Sequence, residues 1–451
     1  MKLHDLTVTQ TAAGLRKGEF SPVELVEALL ARIAETEPDV EAWEVVDADG
    51  ALRAARWMTE RMRERPSRRS LWGIPIGIKD IFDVKGLPTS AGFEPYRGKV
   101  AGEDAGMVTQ LREAGAIVLG KTVTVQFATA LDSPKACNPW DLSRTPGGSS
   151  SGSAASVAAR QVAVATGTQT GGSILRPAAY CGVVGIKPTF GRISRYKVVP
   201  VSWSFDHPGF LLRSVADAAL MLEAVAMHDP RDPFSAVQEA EDFVGAAASP
   251  LEAPELGLVM DLMDRAEPPV REAMEKAATQ LAKAGARIRP IRLPVEMDRL
   301  LGAHFLIRVT EAAAVHAVQH AALGEHYEPN LRANIEIGQV LPAWLNVHSA
   351  RLRRRYRAQM SDMFSGLDGL IAPTASNLPP DRSTGVGDPS FQVIWSFFGM
   401  PNITLPTGLS PERLPHGMQI IAPCFGEARM FRVAAWAESV FGPMPSALDA
   451  A

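Results

Sequence analysis

Two apolar patterns succeed one another along the first half of the chain. Leu25, Leu29 and Ile33 recur at helical spacing, and the helix they predict opens on Ser21-Pro22-Val23-Glu24, a capping box with proline at the first helical position. The second pattern is the short, strand-like apolar run, seen in WGIPIGIKDIFDVKGLPTSAG over residues 72–92, where Lys79 is the interruption. A basic linker, Arg61 to Arg69 with Pro66, leads into that run. Further on, Met107 to Ala114 reads as a helix and Ala116 to Leu119 as a strand. Ser153 to Arg160 reads as an alanine-rich helix, and Val162 to Ala165 as a buried strand stopping at Thr166-Gly167. Alternation of this kind continues to about residue 225 and predicts an α/β fold, a sheet with helices on both faces. From about 230 to 365 the pattern is helix-rich, and the whole chain, 1–451, reads as one domain in which this later region forms a cap.

Composition narrows the classes. Apolar residues make up 46% of the 451, ample for a large core, while a net charge of -4 and a pI near 6.2 give no sign of a nucleic-acid partner. The amino terminus MKLHDLTVTQ has no apolar signal core, and no run of about 18 apolar residues occurs, so the expectation is a cytoplasmic protein without a membrane role. Three widely spaced cysteines, Cys137, Cys181 and Cys424, fit reduced thiols better than disulfides or a metal site.

Candidate chemistry concentrates in RTPGGSSSGSAASVAARQVAVATGTQTGGSILRPAAYCGVVGIKP, residues 144–188. It holds two glycine-rich turns, each with a serine: Ser149 after Gly147-Gly148, and Ser173 after Thr170-Gly171-Gly172. Glycines at 171 and 172 let successive N–H groups converge on one point, as an oxyanion hole requires. The same pattern suits a phosphate cradle or a pair of tight turns. Lys79, set in an apolar strand, would be partly desolvated and so available as a neutral base; pairing with adjacent Asp80 is the alternative.

Other motif matches fail on context. Gly115 to Thr122 satisfies GxxxxGK[ST], yet the strand lies between the two glycines and not before them, which excludes a P-loop. Gly148 to Gly152 satisfies GxSxG, but polar turn sequence precedes it where a nucleophile elbow needs a strand. His316 and His320 are four apart without the HExxH glutamate and read as a solvated helix face. Arg351 to Arg357 reads as one charged face of a long helix.

GIKD at Lys79, PGGSSSGSAA at Ser149 and GTQTGGS at Ser173 together resemble the amidase signature family. The resemblance extends through NPW (Asn138 to Trp140), CGVVGIKPTFGRIS (Cys181 to Ser194), SFDHPGFLLRSVADAA (Ser204 to Ala219), Leu367 to Thr374, and the segments GMPNITLPTG and GMQIIAP. It implies a large mixed central β-sheet and a serine hydrolase without cofactors or metal. Ser173 would be the nucleophile, Ser149 the proton relay after a cis Gly148–Ser149 peptide, and Lys79 the ultimate base. Backbone N–H groups of Thr170, Gly171, Gly172 and Ser173 would hold the oxyanion. Three departures stand out: Gln169 where the family has aspartate, Arg176 three residues after the nucleophile where many members place it at two, and Gln126 for the usual glutamate. Large apolar side chains, Phe127, Leu131, Phe210, Trp395 and Phe398 with Phe397, are the candidate substrate contacts. The leading expectation is hydrolysis of a small hydrophobic or aryl amide, with esters or carbamates in reach, by a free-standing enzyme with a homodimer left open. The alternative is the A-type subunit of a glutamine-dependent tRNA amidotransferase that works with partner subunits.

Overall fold

A computed structural model of the chain describes residues 2–64 and 70–448. Most of the basic linker, 65–69, lies outside the described residues. Eleven strands among them form one sheet: β1 (Trp43–Val46), β2 (Pro75–Lys79), β3 (Ile117–Thr122), β4 (Ala165–Gln169), β5 (Val184–Lys187), β6 (His207–Leu212), β7 (Glu255–Val259), β8 (Arg287–Ile291), β9 (Gly369–Pro373), β10 (Asn402–Leu409) and β11 (Pro415–Ile421). Their order is β1-β3-β2-β4-β6-β5-β10-β11-β9-β7-β8. β2 runs parallel to β3 and β4, β7 parallel to β8 and β9, and the remaining neighbours are antiparallel, so the sheet is mixed.

Burial explains why the strands read as unbroken runs. β2, β4, β5, β6 and β9 are buried at every position, which requires cover on both faces of the sheet. The edge strand β8 is largely exposed, and Arg287, Arg289 and Pro290 keep that edge from pairing further. Close cover demands small residues. The helix Ser151–Ala158 lies so near the sheet that a Cβ on Gly152 would come within 2.2 Å of the Ala42 carbonyl oxygen.

Two expected boundaries move. Val162 and Val164 are buried, but the strand is Ala165–Gln169, so the Thr166-Gly167 pair expected to end it lies inside it. Its inward hydroxyls bind a buried lysine, so the strand is polar where an apolar reading looked for a stop. The helix-rich region of 230–365 also supplies β7 and β8, short runs below the length at which periodicity distinguishes strand from helix. Its helices Met297–Leu323, Pro329–Val340 and Ala343–Asp362 pack together, with Ser390–Phe398 against the first. Between Gly115 and Gly120 the chain enters β3, as the rejection of a P-loop required. Among the described residues no helix is long and apolar enough to cross a membrane.

Candidate active site

Lys79 ends β2 with no solvent exposure. Its backbone N–H donates to Thr166 Oγ1 (2.9 Å), and its Nζ lies 2.8 Å from Ser149 Oγ, 3.0 Å from Ser150 Oγ and 2.9 Å from Thr168 Oγ1. Thr166 and Thr168, two apart on β4, present both hydroxyls on the face that meets the lysine. Asp80 does not pair with it. That carboxylate pairs with Lys121 Nζ at 2.7 Å and accepts the Ser90 and Ala91 amides at 3.0 and 3.1 Å. Lys79 is therefore a buried amine among neutral hydroxyls. Desolvation holds its pKa well below the ordinary lysine range, with the Asp206 charge acting in the opposite direction.

Ser149 follows a cis peptide bond from Gly148. Thr124 Oγ1 donates to its carbonyl (2.9 Å), and Arg176 Nη2 donates to the Gly148 carbonyl (2.6 Å). Ser173 is half-buried, between β4 and the helix Leu175–Tyr180, and its carbonyl accepts the Ser150 N–H at 3.3 Å.

The loop carrying Ser173 is held from outside. Gln169 Oε1 accepts the amides of Ile174 (2.9 Å) and Leu175 (3.1 Å), while its Nε2 donates to Ser396 Oγ (3.1 Å), whose hydroxyl donates to the Gly171 carbonyl (2.8 Å). An aspartate, with acceptors only, could not do both. Thr170 Oγ1 donates to Asp206 Oδ1 at 2.5 Å, and His304 Nε2 lies 3.1 Å from the Thr170 carbonyl. The Gly172 carbonyl accepts the Arg176 amide at 3.0 Å. Among the described residues the amides of Gly171, Gly172 and Ser173 donate to no protein group. The carbonyls are thus tied back and consecutive N–H groups left for a ligand.

Gln126 also uses both ends of its amide: Nε2 donates to the His326 carbonyl (2.9 Å) and Oε1 accepts the Glu328 N–H (2.9 Å). It pins the turn after β3 to the segment that follows Met297–Leu323. Gln126→Glu should therefore lower stability by about 1–3 kcal/mol, because a carboxylate would face the His326 carbonyl in a buried place. Thermal or denaturant unfolding of the variant checks this; an unchanged midpoint would contradict it.

The candidate substrate contacts are placed differently from the catalytic candidates. Phe127, Phe210, Trp395 and Phe398 are each no more than 1% exposed. Phe127 packs on Phe93, Tyr327 and His316, and Trp395, Phe397 and Phe398 belong to the core beneath Met297–Leu323. Only Leu131 of the five lies open, its amide bonded to Asn330 Oδ1 (3.2 Å). His316 is a correction. It points inward, with Nδ1 3.0 Å from the Tyr327 hydroxyl, because the aromatic cluster around Phe127 occupies that helix face. Among the described residues no His, Cys, Asp and Glu cluster could hold a metal. Sequence reading missed Thr124, Ser150, Thr166, Thr168, Asp206, His304 and Ser396; the one available signal was the alternation of Thr166 and Thr168.

A family model described as Amidase matches residues 24–431. The A-type subunit of glutamyl-tRNA(Gln) amidotransferase from Anaeromyxobacter sp. (strain K) is 35% identical, over 98% of this chain and 97% of its own. Among solved structures, an inhibitor-bound s-triazine catabolic enzyme described with a vestigial protein complex superposes with a TM-score of 0.91 at 28% identity, covering 98% of this chain and all of that one. The native peptide amidase of Stenotrophomonas maltophilia does so with a TM-score of 0.87 at 29% identity, over 98% of each chain.

Proposed function

Because this chain belongs to the amidase signature family, whose enzymes cleave C–N bonds, we propose that it opens an amide by forming an acyl-enzyme on Ser173. The observation that carries this reading is the 2.8 Å contact of Lys79 Nζ with Ser149 Oγ where no carboxylate among the described residues lies within ion-pair distance of the lysine. Ser150 and Thr168 hold Nζ in place, and in its neutral form the lone pair accepts the Ser149 hydroxyl proton along that contact. Ser149 can in turn take the proton of Ser173 as the latter attacks the carbonyl. The amides of Gly171, Gly172 and Ser173 receive the developing oxyanion, each critical donor contributing roughly 3 to 4 kcal/mol by analogy with measured cases. The proton then returns through Ser149 to the leaving nitrogen, because an amine anion is a poor leaving group, and water hydrolyses the ester.

Four of the five aromatic and apolar candidates are core, so they carry no argument for an aryl or hydrophobic substrate. A second reading concerns the fate of the released nitrogen. The relatives named as the A-type component of an amidotransferase, and the s-triazine enzyme's description with a protein complex, support delivery of ammonia to a partner better than they support hydrolysis of an aryl amide. Incubating the purified chain with primary amides, glutamine among them, and with hydroxylamine separates the readings. Ammonia and hydroxamate from the chain alone, with an acyl group on the peptide containing Ser173, are the outcome expected for a free-standing amidase. Ammonia release that requires glutamine and a copurifying partner protein would establish the second reading, and absence of any acyl adduct on Ser173 would overturn the mechanism.

A further inference from the structure

Several buried or half-buried arginines are heavily partnered. Arg192 pairs with Glu241 and Glu427, Arg213 donates to the carbonyls of His4, Leu6 and Val162, and Arg353 donates to those of Phe397 and Ser204. Arg308 departs from this. It lies on the Met297–Leu323 helix, half-buried, and its one hydrogen bond among the described residues is from Nη1 to the neutral Thr129 Oγ1 at 3.2 Å. Its other contact is the Phe305 ring, 5.5 Å from the guanidinium carbon. No carboxylate among the described residues lies within ion-pair distance. Desolvation with no compensating charge brings its pKa down to about 10, so at neutral pH it remains a cation whose remaining N–H donors are unused.

Its position connects it to the reaction. One turn earlier on the same helix, His304 touches the Thr170 carbonyl of the loop that carries Ser173. Thr129, which Arg308 touches, belongs to the 124–131 segment, and Thr124 at the start of that segment holds the Ser149 carbonyl. The helix thus touches both segments that hold the candidate serines, the Ser173 loop at His304 and the 124–131 segment at Arg308. A second arginine with spare donors, Arg176, is unsuited to the role because its Nε and Nη1 are sealed from solvent.

We propose that Arg308 is a substrate-binding residue that takes a carboxylate carried by the amide substrate, so that amides bearing a second, ionised acid group are the preferred class. The inference rests on the amidase reading given above. A planar guanidinium with free donors matches a carboxylate in two-point geometry, and a partly desolvated site strengthens that bond.

The test compares matched amides, succinamate and glutaramate against butyramide and valeramide, on the wild-type chain and on Arg308→Gln and Arg308→Lys. The expected result is a wild-type kcat/KM ratio favouring the carboxylates, falling about tenfold to a hundredfold in Arg308→Gln mainly through KM, with partial recovery in Arg308→Lys. Glutarate binding, followed by calorimetry on the folded proteins, should weaken in parallel, and it reports even where turnover is slow. An unchanged ratio in Arg308→Gln, or equal glutarate affinity in wild type and Arg308→Gln, overturns the inference. If amide turnover is abolished by Ser173→Ala yet shows no carboxylate preference, this inference alone fails; turnover indifferent to Ser173→Ala removes the amidase reading, and the inference with it.

Discussion

Ser173→Ala is expected to reduce amide turnover to less than about a thousandth of the wild-type rate while leaving the fold intact. The two halves of that expectation have separate origins. Activity goes because the carbon–oxygen bond of the acyl-enzyme has no other oxygen to form with: Ser149 Oγ lies against Lys79, and Ser150 Oγ is engaged with Lys79 and Thr168. Stability stays, within about 0.5 kcal/mol, because Ser173 is half-buried and its backbone carbonyl, not its side chain, makes the bond to Ser150. The assay is steady-state hydrolysis beside thermal unfolding of the same preparations. A residual rate above a thousandth, from protein with a wild-type melting profile, would remove Ser173 from the nucleophile's place.

The catalytic candidates were legible in the sequence because their chemistry needs particular residues at particular points of the chain. A lysine interrupting Ile74, Ile76 and Ile78 stands out against its strand, and Gly147-Gly148 and Gly171-Gly172 mark the turns that expose serines. The sheet was legible for a related reason: strands covered on both faces write themselves as apolar runs. The polar support was not. Thr166 and Thr168 sit in a strand read as ending, since alternating hydroxyls, one taking the backbone N–H of a buried lysine and the other its amine, look, without that lysine, like turn residues. Asp206, His304 and Ser396 reach the Ser173 loop from positions 36, 134 and 225 residues distant from their partners, and no local pattern records such contacts. The aromatic candidates show the opposite difficulty. Trp395 and Phe398 form a conspicuous run, but a helix buried all round also produces one, and Ser390–Phe398 is such a helix.

The departures from the family pattern become intelligible once both ends of an amide side chain are followed. Gln169 and Gln126 each accept backbone N–H and donate elsewhere, one holding the Ser173 loop to Ser396, the other holding the turn after β3 to the segment beyond the long helix. Replacing a carboxylate by an amide removes a buried charge and gains a donor. The electrostatics around Lys79 are simplified accordingly: Asp80 is committed to Lys121, and the Asp206 charge opposes the desolvation that lowers the Lys79 pKa.

Lys79→Ala should lower turnover by about 10²- to 10⁴-fold, the range for loss of a positioned general base, and should also erase the acidic limb of the pH profile. The sign follows from the geometry. The amine must be neutral to accept the Ser149 proton, and burial favours the neutral form, so wild-type kcat/KM is constant at higher pH and falls as pH drops through the depressed pKa of Lys79. Asp206→Asn supplies the complementary arm. Removing the carboxylate takes away the charge that favours protonated Lys79, so the limb should move to still lower pH, whatever the variant loses in rate through its weakened hold on Thr170. A purely structural role for Asp206 would reduce the rate without moving the limb. Near-normal turnover with an unchanged profile in Lys79→Ala would assign the base elsewhere, and His207 would be the residue to test. Against that, His207 is buried with Nδ1 2.5 Å from the Phe205 carbonyl and 3.1 Å from that of Gln169, and desolvation holds it far below the ordinary histidine range. A limb produced by His207 would survive Lys79→Ala and vanish in His207→Asn, whereas one produced by Lys79 does the reverse.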